Sequence, residues 1–215
     1  MIDLKNIDCL EYMKTCKDKE FDLAVVDPPY GLGFGSFNRT NTASDGTRYK
    51  ANKYHNGDWD KAIPTDEYFK ELMRVSKNQI IWGGNYFPLP PTQCFLFWYK
   101  QNPVANFADG ELAWTSFSRP ALCFDYRYYG NLEGKTAAPD KIHPTQKPKQ
   151  LYKWIYDNFV EAGQKVLDTH LGSGSSAIAA HYANIDFVGL EINSTYFEAM
   201  EKRFKNETSQ TVLTF

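Results

Sequence analysis

One stretch constrains the fold of this chain more than any other: KVLDTHLGSGSSAIAAHYANIDFVGLE, residues 165–191. A short apolar run (165–169) carries Asp168 at its end, and a glycine-bearing loop follows. A helix-forming segment (175–183) opens directly on that loop, and a second apolar run (186–192) carries Glu191 at its end. Strand, helix, strand is the βαβ unit, whose two strands lie parallel in one sheet. Gly172 and Gly174 let the backbone approach a ligand with no Cβ in the way. An acid about twenty residues further on, ending the next strand, can accept hydrogen bonds from ribose hydroxyls. The unit therefore points to a ligand that carries a nucleoside.

Gly172, Gly174 and Ala177 also fit the dinucleotide pattern G-x-G-x-x-A. In an ordinary dinucleotide domain that loop comes first and several strand–helix units follow it. Here there is room after it for one further strand and its helices, so the remaining strands must come from the front of the chain. They are available. Apolar β-prone runs lie at 2–7, 22–27, 78–84 and 94–99, with helical segments at 10–15, 65–76 and 149–160. Thr65 followed by Asp66 and Glu67 is a helix start signal. The runs 111–117 and 121–129 read as an antiparallel hairpin around Arg119-Pro120. The expected architecture is α/β. It is a doubly wound, Rossmann-like, mostly parallel sheet with an antiparallel edge hairpin, circularly permuted, in a single domain over 1–215.

A permuted sheet places the run FDLAVVDPPYG (21–31) beside the 165–169 strand, so both open at the topological switch point where ligands bind. That run stops on Asp27, Pro28, Pro29 and Tyr30. An isolated Asp-Pro is an ordinary turn. Four fixed letters directly after a strand, facing a nucleoside site, call for chemistry.

Global charge offers no argument for a polyanionic partner: the net charge is −2. Any such surface must be local. Cys9, Cys16, Cys94 and Cys123 form no C-x-x-C pair and stand at no metal-ligand spacing, so they read as reduced, mostly buried thiols and no metal is expected. The opening residues MIDLKNIDCLEYM lack the pattern of a signal peptide, and no apolar run reaches membrane-spanning length. A cytoplasmic protein without a membrane partner is expected.

DPPYG, HPTQKP (143–148) and DTHLGSGSS (168–176), in that order, resemble the β-group of amino-group DNA methyltransferases, which use S-adenosylmethionine. The similarity runs from IDCLEYM (7–13) to GLEINSTYFEAM (189–200). It implies the permuted class I methyltransferase fold and transfer of a methyl group to the N6 amine of adenine, in the setting of restriction and modification. Asp27, Pro28, Pro29 and Tyr30 match the catalytic motif. Asp8, with Cys9 beside it, matches the acid that contacts the cofactor adenine. Asp168, His170, Gly172, Ser173 and Gly174 match the pocket for the methionine end, and Glu191, with Ile192, the ribose contact. His143, Pro144, Thr145, Gln146 and Lys147 match the segment that closes over the methionine end, and Asp27 also borders the cofactor. The family usually has Pro-Phe after the motif's acid, whereas here Thr169-His170 follow Asp168.

The motif suits the reaction. An exocyclic amine is a poor nucleophile, because its lone pair is delocalised into the ring. Asp27 can accept one N–H and the Pro28 carbonyl the other, with the prolines fixing that carbonyl, while Tyr30 stacks on the base. Sequence does not decide whether Asp27 also takes the proton. In a duplex the base must flip out; otherwise the substrate is single-stranded.

Loop 31–61 carries Arg39, Arg48, Lys50, Lys53 and Lys61 against Asp45, Asp58 and Asp60, with five aromatic residues interleaved. Arg39, Arg48, Lys50 and Lys53 are the expected DNA contacts. Segment 103–142 is a second candidate for DNA recognition. Arg127, Lys135, Lys141, Lys147 and Lys149 give the 127–149 interval a basic balance. Specificity must then come from loops or from a second subunit, as in a homodimer.

Trp82, Phe97 and Trp98 read as core and His181 as structural. Gly83, Gly84 and Asn85 fit a pocket lining or a plain turn equally. The competing functions are cytosine-N4 methylation, RNA adenine methylation, a nicotinamide oxidoreductase resting on the glycine match alone, and a non-catalytic DNA-binding module.

Overall fold

The computed structural model describes residues 1–33, 60–101, 108–128 and 141–209. Eight strands form one sheet: β1 (Ile2–Asn6), β2 (Phe21–Val26), β3 (Ser76–Trp82), β4 (Phe95–Tyr99), β5 (Gly110–Thr115), β6 (Leu122–Asp125), β7 (Lys165–Asp168) and β8 (Asp186–Glu191). Their order across the sheet is β1-β8-β7-β2-β3-β5-β4-β6. The helices are α1 (Cys9–Thr15), α2 (Asp66–Val75), α3 (Lys149–Phe159), α4 (Ser175–Tyr182) and α5 (Ser194–Thr208).

The sequence dictates these elements locally. Asp8 caps α1 by accepting from the Leu10 and Glu11 amides, and Thr65 caps α2 by accepting from Tyr68. Asn193 does the same for α5 through the Tyr196 amide. Strands β2, β3 and β7 are buried along most of their length because both faces of the sheet are covered there. On one face Met13 of α1 and Tyr68, Phe69 and Leu72 of α2 pack on Ala24, Val26 and Ile81. On the other, Leu151, Ile155 and Tyr156 of α3, Ala177 and Ala180 of α4, and Met200 of α5 pack on Leu23, Val25, Ile80 and Val166. Each large apolar side chain buried this way contributes roughly 1.5–3 kcal/mol.

The permutation expected from sequence is present. β2 pairs in parallel with β7, Leu23 opposite Val166 and Ala24 opposite Leu167, while β1 closes the sheet beside β8. From β7 the chain proceeds outward to β8, and from β2 it proceeds the other way to β3. The switch point is therefore the β7–β2 boundary.

The expected hairpin is corrected. β5 and β6, which carry the described parts of the runs 111–117 and 121–129, do not pair. β5 is instead inserted antiparallel between β3 and β4, with Ile81 opposite Trp114 and Phe97 opposite Leu112. β6 runs parallel to β4 at the sheet edge, Leu96 opposite Leu122. The antiparallel hairpin is thus β4–β5, and β5 is the sheet's antiparallel strand. Trp82 and Trp98 are core as expected, whereas Phe97 is only partly buried.

Candidate active site

Asp27 follows the last residue of β2, and Asp168 is the last residue of β7. The two motifs therefore meet where neighbouring parallel strands end, on the crevice side of the switch point.

On the β2 side, the Tyr30 hydroxyl donates to Asp27 Oδ1 at 2.6 Å and the Lys147 ammonium pairs with Asp27 Oδ2 at 2.6 Å. Lys147 also lies 3.0 Å from Glu111 Oε2, and Lys100 pairs with Glu111 Oε1. Burial works against the charge on Lys147, but Asp27 and Glu111 outweigh it and hold the ammonium above the usual lysine value. Burial likewise opposes the charge on Glu111, and the two lysines overcome it, bringing its carboxyl down to about 2. Burial, with Asp27 next, pushes the Tyr30 phenol well above its usual range, so it remains a donor.

The backbone after the motif is held by Asp60, whose Oδ1 accepts from the Tyr30 amide at 2.8 Å and the Gly31 amide at 3.0 Å. Asp60 is buried. The Tyr30 ring stacks on Tyr86 with centroids 5.1 Å apart. Gly83 packs against the same ring. Its φ is +70°, and a Cβ there would sit 2.2 Å from Tyr30 Cε1, so the glycine exists to seat the motif's ring.

On the β7 side, Asp168 is almost fully buried. It accepts from the Ser176 hydroxyl at 2.5 Å and the His170 amide at 3.0 Å. Burial raises its carboxyl to about 7, against the opposing effect of those two bonds. Glu191 accepts from the Gly172 amide and the Asn193 amide, each at 2.9 Å, and so braces the glycine loop. The two glycines have different reasons. A Cβ on Gly174 would meet Met200 Cγ at 2.5 Å, a packing constraint. A Cβ on Gly172 would have the His143 ring as its nearest neighbour, at 3.5 Å, so its bare face turns toward the 143–148 segment. Arg203 donates to the Ser173 carbonyl at 2.7 Å and fixes the loop from α5.

His143 stacks edge-on against Tyr196, with Thr145 Oγ1 3.2 Å from its Nδ1. Gln146 accepts from the Ile142 amide at 3.2 Å. Burial, with Lys147 next, lowers the His143 imidazole to about 4, so it is neutral at ordinary pH. The substituted pair Thr169-His170 forms a chain: the Tyr68 hydroxyl lies 2.7 Å from Thr169 Oγ1, which lies 2.9 Å from His170 Nδ1. Burial lowers His170 to about 4 as well.

The structure thus brings together Asp8, Asp27, Tyr30, His143, Lys147, Asp168, His170, Gly172 and Glu191. Asp8 also caps α1. Cys9 is partly buried, and burial, with Asp8 beside it, pushes its thiol to about 12. Pro28 is buried, Pro29 and Pro144 are half-buried, and Ile192 is exposed. One expectation is corrected. Lys147 was counted toward a basic surface, but it is buried and paired. Lys149 pairs with Glu207. Arg39, Arg48, Lys50, Lys53 and His55 lie outside the described residues. Reading the sequence missed Glu111, Asp60, Tyr68 and Arg203.

A family model described as DNA methylase, of the N6/N4 type, matches residues 121–202, the part that holds HPTQKP and the glycine loop. The chain is thus similar to the N6/N4 DNA methylases. The chain is 26% identical to the type II methyltransferase M.HinfI of Haemophilus influenzae, over 92% of its own length and 67% of that protein's. It is 24% identical to the type II methyltransferase M2.DpnII of Streptococcus pneumoniae, over 96% and 91% of the two chains. Among solved structures, the M1.HpyAVI–SAM complex superposes with a TM-score of 0.56 at 20% identity, covering 94% of this chain and 98% of that one. The cytosine-N4-specific PvuII DNA methyltransferase superposes at 0.57 with 13% identity, covering 96% and 90%. At such identities the superpositions establish the fold.

Proposed function

We propose that this protein transfers the methyl group of S-adenosylmethionine to the N6 amine of adenine in DNA, on a flipped-out or single-stranded base. The observation that carries the reading is the placement of Asp27 and the Gly172 loop at adjacent strand ends of the switch point.

The residues on the β7 side fit the cofactor. Asp168 is a buried acid whose bonding partners, Ser176 and the His170 amide, are uncharged, so a ligand ammonium suits it. The Gly172 loop and Glu191 would hold the ribose and methionine ends. Asp8 and Cys9 would border the adenine. His143 to Lys147, with His170, Ser173 and Ile192, would line the remainder. Bound there, the cofactor supplies an electrophilic methyl on a sulfonium.

The chain's own part is positioning. Asp27 and the Pro28 carbonyl would accept the two N–H groups of the amine and turn its lone pair toward the methyl. The amine would exchange one proton for the methyl that the cofactor supplies, the proton passing to Asp27 or to water. Tyr30, already stacked on the exposed Tyr86, would support the base with it.

Arg39, Arg48, Lys50 and Lys53, within loop 31–61, are proposed as phosphate contacts, and segment 103–142 as a second recognition element. We take residues 1–215 as one methyltransferase unit acting in the cytoplasm, with a homodimer as a way to complete recognition. Among the described residues no helix is long and apolar enough to cross a membrane.

The deciding experiment incubates the protein with methyl-labelled S-adenosylmethionine and defined DNA or RNA, followed by nucleoside analysis. Label in N6-methyldeoxyadenosine is expected. Label in N4-methyldeoxycytidine, in RNA alone, or in no nucleic acid overturns the reading.

A further inference from the structure

We propose that Lys147 and Glu111 are positioning residues for methyl transfer. Lys147 holds the Asp27 carboxylate in place, and Glu111 receives the Lys147 ammonium when the target amine engages Asp27. The inference rests on the function proposed above and extends it to two residues outside the reacting groups.

The geometry raises the problem and supplies its solution. Both oxygens of Asp27 are engaged, Oδ1 by the Tyr30 hydroxyl at 2.6 Å and Oδ2 by Lys147 Nζ at 2.6 Å. An incoming N–H needs an acceptor position on that carboxylate. Lys147 can yield one only if its charge is not abandoned, because a buried ammonium without a counter-ion is costly. Its side chain is only 4% exposed, so water offers no refuge. Glu111 Oε2 is the alternative. It lies 3.0 Å from Lys147 Nζ, is buried, and makes no hydrogen bond in this state. A small rotation of the ammonium turns that ion pair into a full charge-assisted hydrogen bond.

Glu111 is itself fixed. It stands on β5 and pairs opposite Trp98 of β4, and Lys100 at the end of β4 holds its other oxygen. The ammonium also lies over two rings, 5.4 Å from the Trp82 centroid and 5.7 Å from that of Tyr30, a seat favourable to a cation in either position. The four charges alternate from Asp27 through Lys147 and Glu111 to Lys100. They therefore run from the catalytic motif to the β4–β5 hairpin without two like charges in contact.

The alternative role is purely structural, a buried ion pair that helps the fold and nothing else. The two roles separate in a double-mutant cycle on the chemical step. Wild type, Glu111→Gln, Lys147→Met and the double variant are compared by rapid-quench single-turnover methylation of adenine-containing DNA at saturating cofactor. Cofactor affinity is measured by calorimetry and the melting temperature recorded for each. Glu111→Gln is expected to slow transfer about 5- to 30-fold, the size of one charge-assisted bond reduced to an ordinary one, with cofactor affinity within about twofold of wild type. Lys147→Met is expected to slow it about 10- to 100-fold. The double variant should be no slower than Lys147→Met, because Glu111 acts through Lys147. It also removes one charge of each sign, so the net charge of the cluster stays that of the wild type, and its melting temperature shows whether it folds.

Additive losses in the double variant overturn the inference. So does an unchanged transfer rate in Glu111→Gln with only a lowered melting temperature. A Lys147→Met protein that transfers at full rate but binds cofactor poorly makes Lys147 a cofactor ligand, and overturns it too. A wild type that methylates no DNA overturns this inference and the function together, whereas a wild type that methylates normally beside variants at full rate overturns this inference alone.

Discussion

The two sides of the crevice treat charge in opposite ways. At the end of β2, Asp27 has a lysine on one oxygen and a tyrosine hydroxyl on the other, and the charges beyond it alternate in sign. At the end of β7, Asp168 is more deeply buried, and its bonding partners are a serine hydroxyl and a backbone amide. The first carboxylate is balanced by the fold itself. The second is not, and burial raises its carboxyl to about 7. The difference matches the proposed ligands. The β2 side receives a neutral amine, which cannot balance an anion, so the protein must. The β7 side receives an amino acid that brings its own ammonium.

The strongest way to break this comparison is at Asp27. Asp27→Ala is expected to lower methyl transfer by more than about 100-fold, since the acceptor for the amine is gone. The residue lies beyond β2 at the crevice, so no large core cavity forms. The vacated Lys147 keeps Glu111 as a counter-ion. Cofactor affinity should persist, because the β7 side is untouched. Asp27→Asn keeps an acceptor without the charge and is expected to lose roughly 5- to 30-fold if Asp27 only orients the amine. A loss in Asp27→Asn as large as that in Asp27→Ala makes Asp27 the proton acceptor as well. Full activity in Asp27→Ala reduces the motif to a turn.

The β7 side predicts a pH dependence. The folded pKa of Asp168 lies near 7, raised from the ordinary 3.8 by burial. In the free protein, the unfolded chain ionises this group first. The associated stability is complete below the ordinary value and declines as pH rises toward 7. A bound ammonium reverses the preference by favouring the ionised acid. Cofactor affinity should therefore rise between about pH 5.5 and 7, by about tenfold per pH unit at most, while a ligand α-amino group of pKa about 8 remains charged. His143 and His170 sit at about 4 and do not titrate in that window. Calorimetric titration of wild type and Asp168→Asn measures it. The variant should bind more weakly and with a flat profile. An equally steep profile in both proteins assigns the proton elsewhere.

The parts of this arrangement legible in the sequence were those that repeat locally or carry a motif. The βαβ unit, the α2 cap at Thr65 and the switch-point pairing of β2 with β7 follow from periodicity, capping chemistry and the position of the glycine loop. Strand neighbours beyond that did not follow. An apolar run at 121–129 alternates in the same way whichever strand it joins, and Arg119-Pro120 resembles a tight turn although β6 pairs with β4. Glu111 and Asp60 were invisible for a related reason. Each meets its partner across some thirty residues of intervening chain, and an isolated acid in a strand or loop carries no mark of the cation or amide it will face. Lys147 was visible as part of HPTQKP, yet its partner was not, because a motif names a residue without saying where its charge goes.

The finest test of the β2 side is Gly83, where the sequence left a turn and a pocket lining equally open. Alanine there must adopt φ near +70°, which costs an L-residue about 1–2 kcal/mol. Its Cβ would also lie 2.2 Å from Tyr30 Cε1, so the ring must move. The displaced hydroxyl then leaves Asp27 Oδ1, and one of the two groups that fix the carboxylate is lost. Gly83→Ala should lower the melting temperature by several degrees and slow single-turnover transfer by about 3- to 10-fold, the worth of roughly one hydrogen bond. Tyr30→Phe, which removes the hydroxyl without moving the backbone, separates the two consequences. It should slow transfer to a similar degree with a smaller change in melting temperature. If Gly83→Ala melts lower yet transfers at the wild-type rate, the seat of Tyr30 matters to the fold alone, and the orientation of Asp27 is the work of Lys147.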